Sequence, residues 1–163
     1  MKKAEMYDSV VAYITENQGR FYRFAYSHTK NRDNALDIVQ NAVCKAIEKY
    51  TDIRDKNAIS AWFYRVLLNE VYAYSKKHSR EFATPDEEMP EGVYTEKAFE
   101  KDDSIYQCIN KLEPSLKTII ILRFFEDMPL EEISKITATN LNTVKTRLYS
   151  AINKLKKLYE EAE

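Results

Sequence analysis

Glycine and proline are nearly missing from this chain. Two glycines and four prolines in 163 residues leave too few turn-forming positions for a many-stranded sheet, so an all-α chain is expected. Histidine and cysteine are as sparse. His28, His78, Cys44 and Cys108 stand far apart, with none of the close spacings that hold a metal, and no cofactor is expected. No stretch reaches the roughly 20 apolar residues that a membrane-spanning helix needs, and no secretion signal precedes the cysteines. Both thiols are therefore read as buried and reduced, in a cytoplasmic protein. Enzyme machinery is lacking too: there is no glycine-rich phosphate loop and no paired nucleophile and base.

A large charge of one sign is also absent, since the net is −1. That sum hides a segregation. Between Glu81 and Asp103 nine acids (Glu81, Asp86, Glu87, Glu88, Glu91, Glu96, Glu100, Asp102, Asp103) meet only Lys97 and Lys101, a local net of −7, which leaves +6 for the rest. With Pro85, Pro90 and Gly92 and little periodicity, this acidic stretch buries too little apolar surface to offset the entropy of ordering. It is expected to be a flexible linker, dividing the chain into a first helical domain (1–80), the linker (81–103) and a second helical domain (104–163).

What is present is helical periodicity. An apolar content of 44% suffices for two small cores. The most informative stretch is the last. Leu130, Ile133 and Ile136 recur at helical spacing after Pro129, which suits a first helical turn. The turn Thr137-Ala138-Thr139-Asn140 follows, and Asn140 is placed to cap a second helix. That helix puts Val144, Leu148, Ile152 and Leu155 on one stripe. Its other side carries Asn142, Thr143, Lys145, Thr146, Arg147, Tyr149 and Ser150, and from Asn140 to Leu158 there are five basic residues and no acid. A short helix, a tight turn and a longer basic helix describe either a DNA-reading helix-turn-helix or an ordinary helical hairpin with a wet face.

The first half carries a second nucleic-acid signal. From about Ala58 a helix interleaves Trp62, Phe63, Tyr64, Tyr72 and Tyr74 with Arg65 and ends in Lys76, Lys77, His78 and Arg80. Ile59, Phe63, Val66, Leu67 and Val71 close a core; Tyr64, Arg65, Leu68, Asn69 and Tyr72 are left outside. Exposed rings beside cations suit single-stranded DNA, because bases stack while phosphates meet charge. Before it, a helix from about Arg32 to Tyr50, capped by Asn31, places Ala35, Val39, Val43, Ala46, Ile47 and Tyr50 on its apolar stripe. Asp37, Gln40, Asn41, Lys45 and Glu48 lie opposite, with Ile38 at the margin.

DNALDIVQNAVCKAIEKY followed by AISAWFYRVLLNEV resembles region two of bacterial RNA polymerase sigma factors of the extracytoplasmic-function (ECF) class. LEPSLKTIIILRFFEDMPLEEISKITATNLNTVKTRLYSAINKLKK resembles their region four. Within the class the chain looks most like the sigma V-like group of Firmicutes, associated with cell-envelope stress. The resemblance implies a non-enzymatic initiation factor whose partners are core RNA polymerase, promoter DNA and an anti-sigma factor, commonly membrane-anchored. It implies that Asp37, Ile38, Gln40 and Asn41 bind the polymerase. Trp62, Tyr64, Arg65, Asn69 and Tyr72 then belong to the helix that handles the melted strand, and the loop Thr51 to Asn57 receives a flipped base. Asn142, Thr143, Lys145, Thr146, Arg147, Tyr149 and Ser150 face the minus-thirty-five duplex. Glycine is frequent in that family's turn where Ala138 stands here. The rival reading from the residues is a two-domain helix-turn-helix regulator that never joins polymerase.

Overall fold

Apolar residues three and four apart build the first unit. In the computed structural model, which describes residues 3–78 and 103–162, Met6, Val10 and Ile14 form the buried stripe of α1 (Lys3–Glu16). Phe21, Phe24 and Ala25 lie on that of α2 (Gln18–Thr29). Asn31 caps α3 (Arg32–Lys49), its side chain accepting the Asn34 N–H at 2.9 Å, and Asp33 lies in the first turn. Cap and acid satisfy and complement the helix's leading N–H groups. Two 3-10 turns, Tyr50–Asp52 and Lys56–Ala58, lead into α4 (Ile59–His78). Ile53 between them is buried, so this polar connection is pinned at its centre.

Helix α4 packs against α1, α2 and α3, and a helix with neighbours on several sides buries more than one narrow stripe. Two residues expected outside, Tyr64 and Leu68, are therefore fully buried. The Tyr64 ring meets Phe21 and Phe24 edge-on, with centroids 5.6 and 5.5 Å apart. On α3 the stripe is rotated from the expected one. Ala35, Ile38, Ala42 and Ala46 are buried, while Val39, Val43, Ile47 and Tyr50 are half-buried. The row of small alanines allows close approach, and the larger side chains flank it. Ile38 thus belongs to the core rather than to the margin of the polar face. Cys44, expected buried, is exposed; it lies two residues from both Ala42 and Ala46, on the far side of a helix with 3.6 residues per turn.

The second unit is built from α5 (Asp103–Asn110), α6 (Pro114–Ile120), α7 (Leu130–Thr137) and α8 (Leu141–Ala162). Pro114 opens α6, where its missing N–H is harmless. Cys108 and Ile109 from α5, Leu116, Ile119 and Ile120 from α6, Ile133 and Ile136 from α7, and Val144, Leu148 and Ala151 from α8 are buried together. Ile152 and Leu155, expected on the stripe, are half-buried. After Ile120 the chain widens into a π turn, Ile121–Phe125, with the Glu126 N–H reaching the Ile121 carbonyl at 3.1 Å. The extra residue in that turn shifts the helical register. Phe124 is consequently 54% exposed, and Phe125 turns in to meet Tyr106 at 5.0 Å.

All regular elements among the described residues are helical, as composition requires. The residues separate into two compact units. The acidic stretch read as a linker lies outside the described residues, except for Asp103 at the start of α5.

Candidate nucleic-acid interface

Two grooves flank the α3–α4 contact. One is lined by Lys45, Lys49, Asp52, Trp62, Arg65, Val66, Asn69 and Glu70. Trp62, Arg65, Asn69 and Tyr72 are spaced i, i+3, i+7 and i+10, so they share a face of α4. Trp62 is half-buried, Arg65 and Asn69 are exposed, and Tyr72 is 53% exposed. An indole wall, an amide and cations in one concavity present what unpaired nucleotides use: a stacking surface, a base-edge partner and phosphate charge. Tyr64, grouped with these residues from sequence, faces the opposite way, into the core.

The other groove is lined by Asn34, Asp37, Ile38, Asn41, Glu70, Ala73, Tyr74, Lys77 and His78. Asp37 and Asn41 are exposed at its edge and buried Ile38 forms floor; Gln40 is exposed but outside it. Its far wall is set by the Asn34 amide donating to the Tyr74 hydroxyl at 3.1 Å and by His78 stacked on the Tyr74 ring at 4.2 Å. Sequence reading missed this contribution of Asn34, Tyr74 and His78. It also missed Glu70, buried midway along α4 and lining both grooves. Only an acid within an otherwise core-forming helix hinted at Glu70.

In the second unit the helix pair is joined by a left-handed residue. Ala138 has φ 54 and ψ 44. The Thr139 N–H bonds the Ser134 carbonyl at 3.0 Å and the Ala138 N–H the Lys135 carbonyl at 3.3 Å, the paired bonds of a Schellman ending. Asn140 caps α8 as expected, accepting from the Asn142 N–H at 2.7 Å. The residues expected to face the duplex fall in two rows. Asn142, Lys145, Thr146 and Tyr149 are exposed along the outer crest, with Tyr149 at 67%; Thr143, Arg147 and Ser150 are half-buried on its flank. The Thr146 hydroxyl donates back to the Asn142 carbonyl at 3.0 Å. An exposed polar crest on a capped helix, set by a rigid turn, is the geometry that enters a major groove.

No helix among the described residues is long and apolar enough to cross a membrane. Residues 13–81 match the model of sigma-70 region 2, and residues 102–155 that of sigma-70, region 4. The chain is 40% identical to RNA polymerase sigma factor SigV of Bacillus subtilis (strain 168) over 153 residues, 93% of this chain and 92% of the other. It is 25% identical to the ECF RNA polymerase sigma factor SigW of the same organism over 172 residues, 96% and 91% of the two. Among solved structures it resembles the sigma factor RpoE in its complex with the anti-sigma factor NepR from Bartonella quintana. The TM-score is 0.74 at 22% identity, covering 91% of this chain and 95% of that one. It also resembles CnrH, solved with the cytosolic domain of CnrY, with a TM-score of 0.69 at 17% identity over 98% and 96%. Matched in both regions and over nearly its full length, the chain belongs to the sigma-70 family of RNA polymerase sigma factors, in the extracytoplasmic-function class.

Proposed function

We propose that this sigma factor divides promoter recognition between its two units, without catalysing a reaction of its own. The sigma factor joins core RNA polymerase and directs it to promoter DNA. In this reading Asp37 and Asn41, at the edge of the groove floored by Ile38, dock on the polymerase together with Gln40 outside it. Trp62, Arg65, Asn69 and Tyr72 take the unpaired strand of the minus-ten element. Asn142, Thr143, Lys145, Thr146, Arg147, Tyr149 and Ser150 face the minus-thirty-five duplex. The acidic stretch links the two. What supports the division most is the contrast in surfaces: a concave indole–cation–amide groove in one unit, a convex polar crest in the other. Unpaired bases need the first and paired ones the second.

RpoE is held by the anti-sigma factor NepR, and CnrH by the cytosolic domain of CnrY. A partner of this kind, anchored in the membrane and masking the polymerase and DNA faces, completes the reading. In the same reading the protein works in the cytoplasm and its regulon serves envelope or stress responses. The test is reconstitution with sigma-free polymerase. Asp37→Ala/Asn41→Ala should abolish co-purification with core enzyme, and Trp62→Ala should leave association intact while run-off transcription falls at least tenfold. A wild-type chain that neither associates with polymerase nor starts transcripts would overturn the assignment.

A further inference from the structure

The ion pairs Arg32–Asp33 and Lys154–Glu113 join exposed groups, but Lys45–Glu70 does not. Lys45 Nζ meets Glu70 Oε2 at 2.5 Å across α3 and α4, and the Glu70 side chain is only 10% exposed against 56% for Lys45. Both residues line the groove that holds Trp62, Arg65 and Asn69. Anions are unexpected in a groove for a polyanion.

We propose that Glu70 sets the selectivity of this groove by withholding Lys45 from DNA phosphates; the inference rests on the reading of the groove as the single-strand site. A phosphate that captured the Lys45 ammonium would strand a carboxylate that has already lost most of its water, and would bring a second anion beside it. Leaving the buried Glu70 carboxylate without its charged partner costs more than a solvent-exposed phosphate contact returns to the Lys45 ammonium, which is itself more than half exposed. The pair therefore meets DNA as a neutral unit. The groove's five charged residues, Lys45, Lys49, Arg65, Asp52 and Glu70, sum to +1; without the Glu70 charge they would sum to +2. Backbone attraction, which is blind to sequence, is held down, and a larger share of binding falls to the Trp62 ring and the Asn69 amide.

The test uses holoenzyme reconstituted from the full chain and core RNA polymerase. Binding is measured to a single-stranded minus-ten oligonucleotide and to oligo-dT of equal length across a salt series. Glu70→Gln keeps the side-chain size and an acceptor for Lys45 but removes the charge. It should steepen the slope of log affinity against log salt by about 0.7, the increment for one added phosphate contact on a single strand. At about 0.1 M salt this tightens oligo-dT binding about fivefold, because 0.7 of a decade accrues over a tenfold dilution from 1 M. The preference for the minus-ten sequence should shrink accordingly. Adding Lys45→Met to Glu70→Gln should cancel the gain. The double variant Lys45→Met/Glu70→Met, which replaces the pair with apolar side chains and needs no buried charge, should keep the wild-type slope. An unchanged slope in Glu70→Gln, or a slope shallower by about 0.7 in the double variant, overturns the proposal. If those results appear while Trp62→Ala still weakens strand binding, the single-strand site survives and only the role of Glu70 falls. A wild-type holoenzyme indifferent to the strand overturns both.

Discussion

Ala138 occupies a conformation that costs an L-residue about 1–2 kcal/mol and glycine almost nothing. The turn closes because its carbonyls are satisfied by the Ala138 and Thr139 N–H groups and by the Ser134 hydroxyl on the Thr139 carbonyl. Ala138→Gly should therefore raise stability by about 0.5–1 kcal/mol, less than the full penalty because glycine gains freedom in the unfolded chain. A urea titration measures it, and a lowered midpoint would refute the strain. The tyrosines of α4 give a second contrast. Tyr64→Ala should cost about 3–5 kcal/mol, as for a large core truncation. Tyr72→Ala should change stability by less than about 0.5 kcal/mol and instead weaken binding of the unpaired strand by about 1–3 kcal/mol, the worth of one stacked base. Denaturant melts and strand-binding titrations separate the two. Trp62, Phe63 and Tyr64 follow one another at 100° steps round a helix, so the periodicity that turns Phe63 inward leaves open whether Tyr64 beside it is buried too. Phe21 and Phe24, on another helix, decide it.

Helix α8, proposed to face the duplex, shows what elements reveal before a structure is known. Its cap at Asn140, its inner residues Val144 and Leu148 and its basic outer side are all readable, because each depends on neighbours within four positions. The split into crest and flank is not, since it depends on how α8 is rotated against α6 and α7. Arg147, half-buried on the flank, is expected to hold a phosphate. Arg147→Ala should weaken binding to every promoter variant alike and reduce the salt slope on duplex DNA by about 0.9; loss confined to one base position would instead make it a base reader. The rotation of α3 and the π turn after α6 escaped prediction for the same reason. Val39 and Val43 look more apolar than Ala35 and Ala42, yet small side chains win where helices must approach closely. The turn closed by the bond from Glu126 to Ile121 leaves Phe124 outward and brings Phe125 in against Tyr106.

For the whole molecule, the scarcity of glycine and proline pointed to helices, and charge segregation to two bodies. Each body has its own core, one around Phe21, Phe63 and Tyr64, the other around Ile119, Ile120 and Ile133. Unfolding should accordingly proceed in two steps. Tyr64→Ala should lower one calorimetric transition and Ile133→Ala the other, each by more than the about 4–8 °C that 1 kcal/mol is worth in a small domain, while its counterpart stays within about 1 °C. A single shared transition would contradict this independence. The two thiols supply a last consequence. Cys44 is open to solvent on α3 and Cys108 is enclosed, so a maleimide dye applied to the native protein should attach at one position without any engineering. That position lies on the helix that carries Asp37 and Asn41 before it and Lys45 and Lys49 after it, a ready-made fluorescent vantage point from which assembly and promoter opening can be timed.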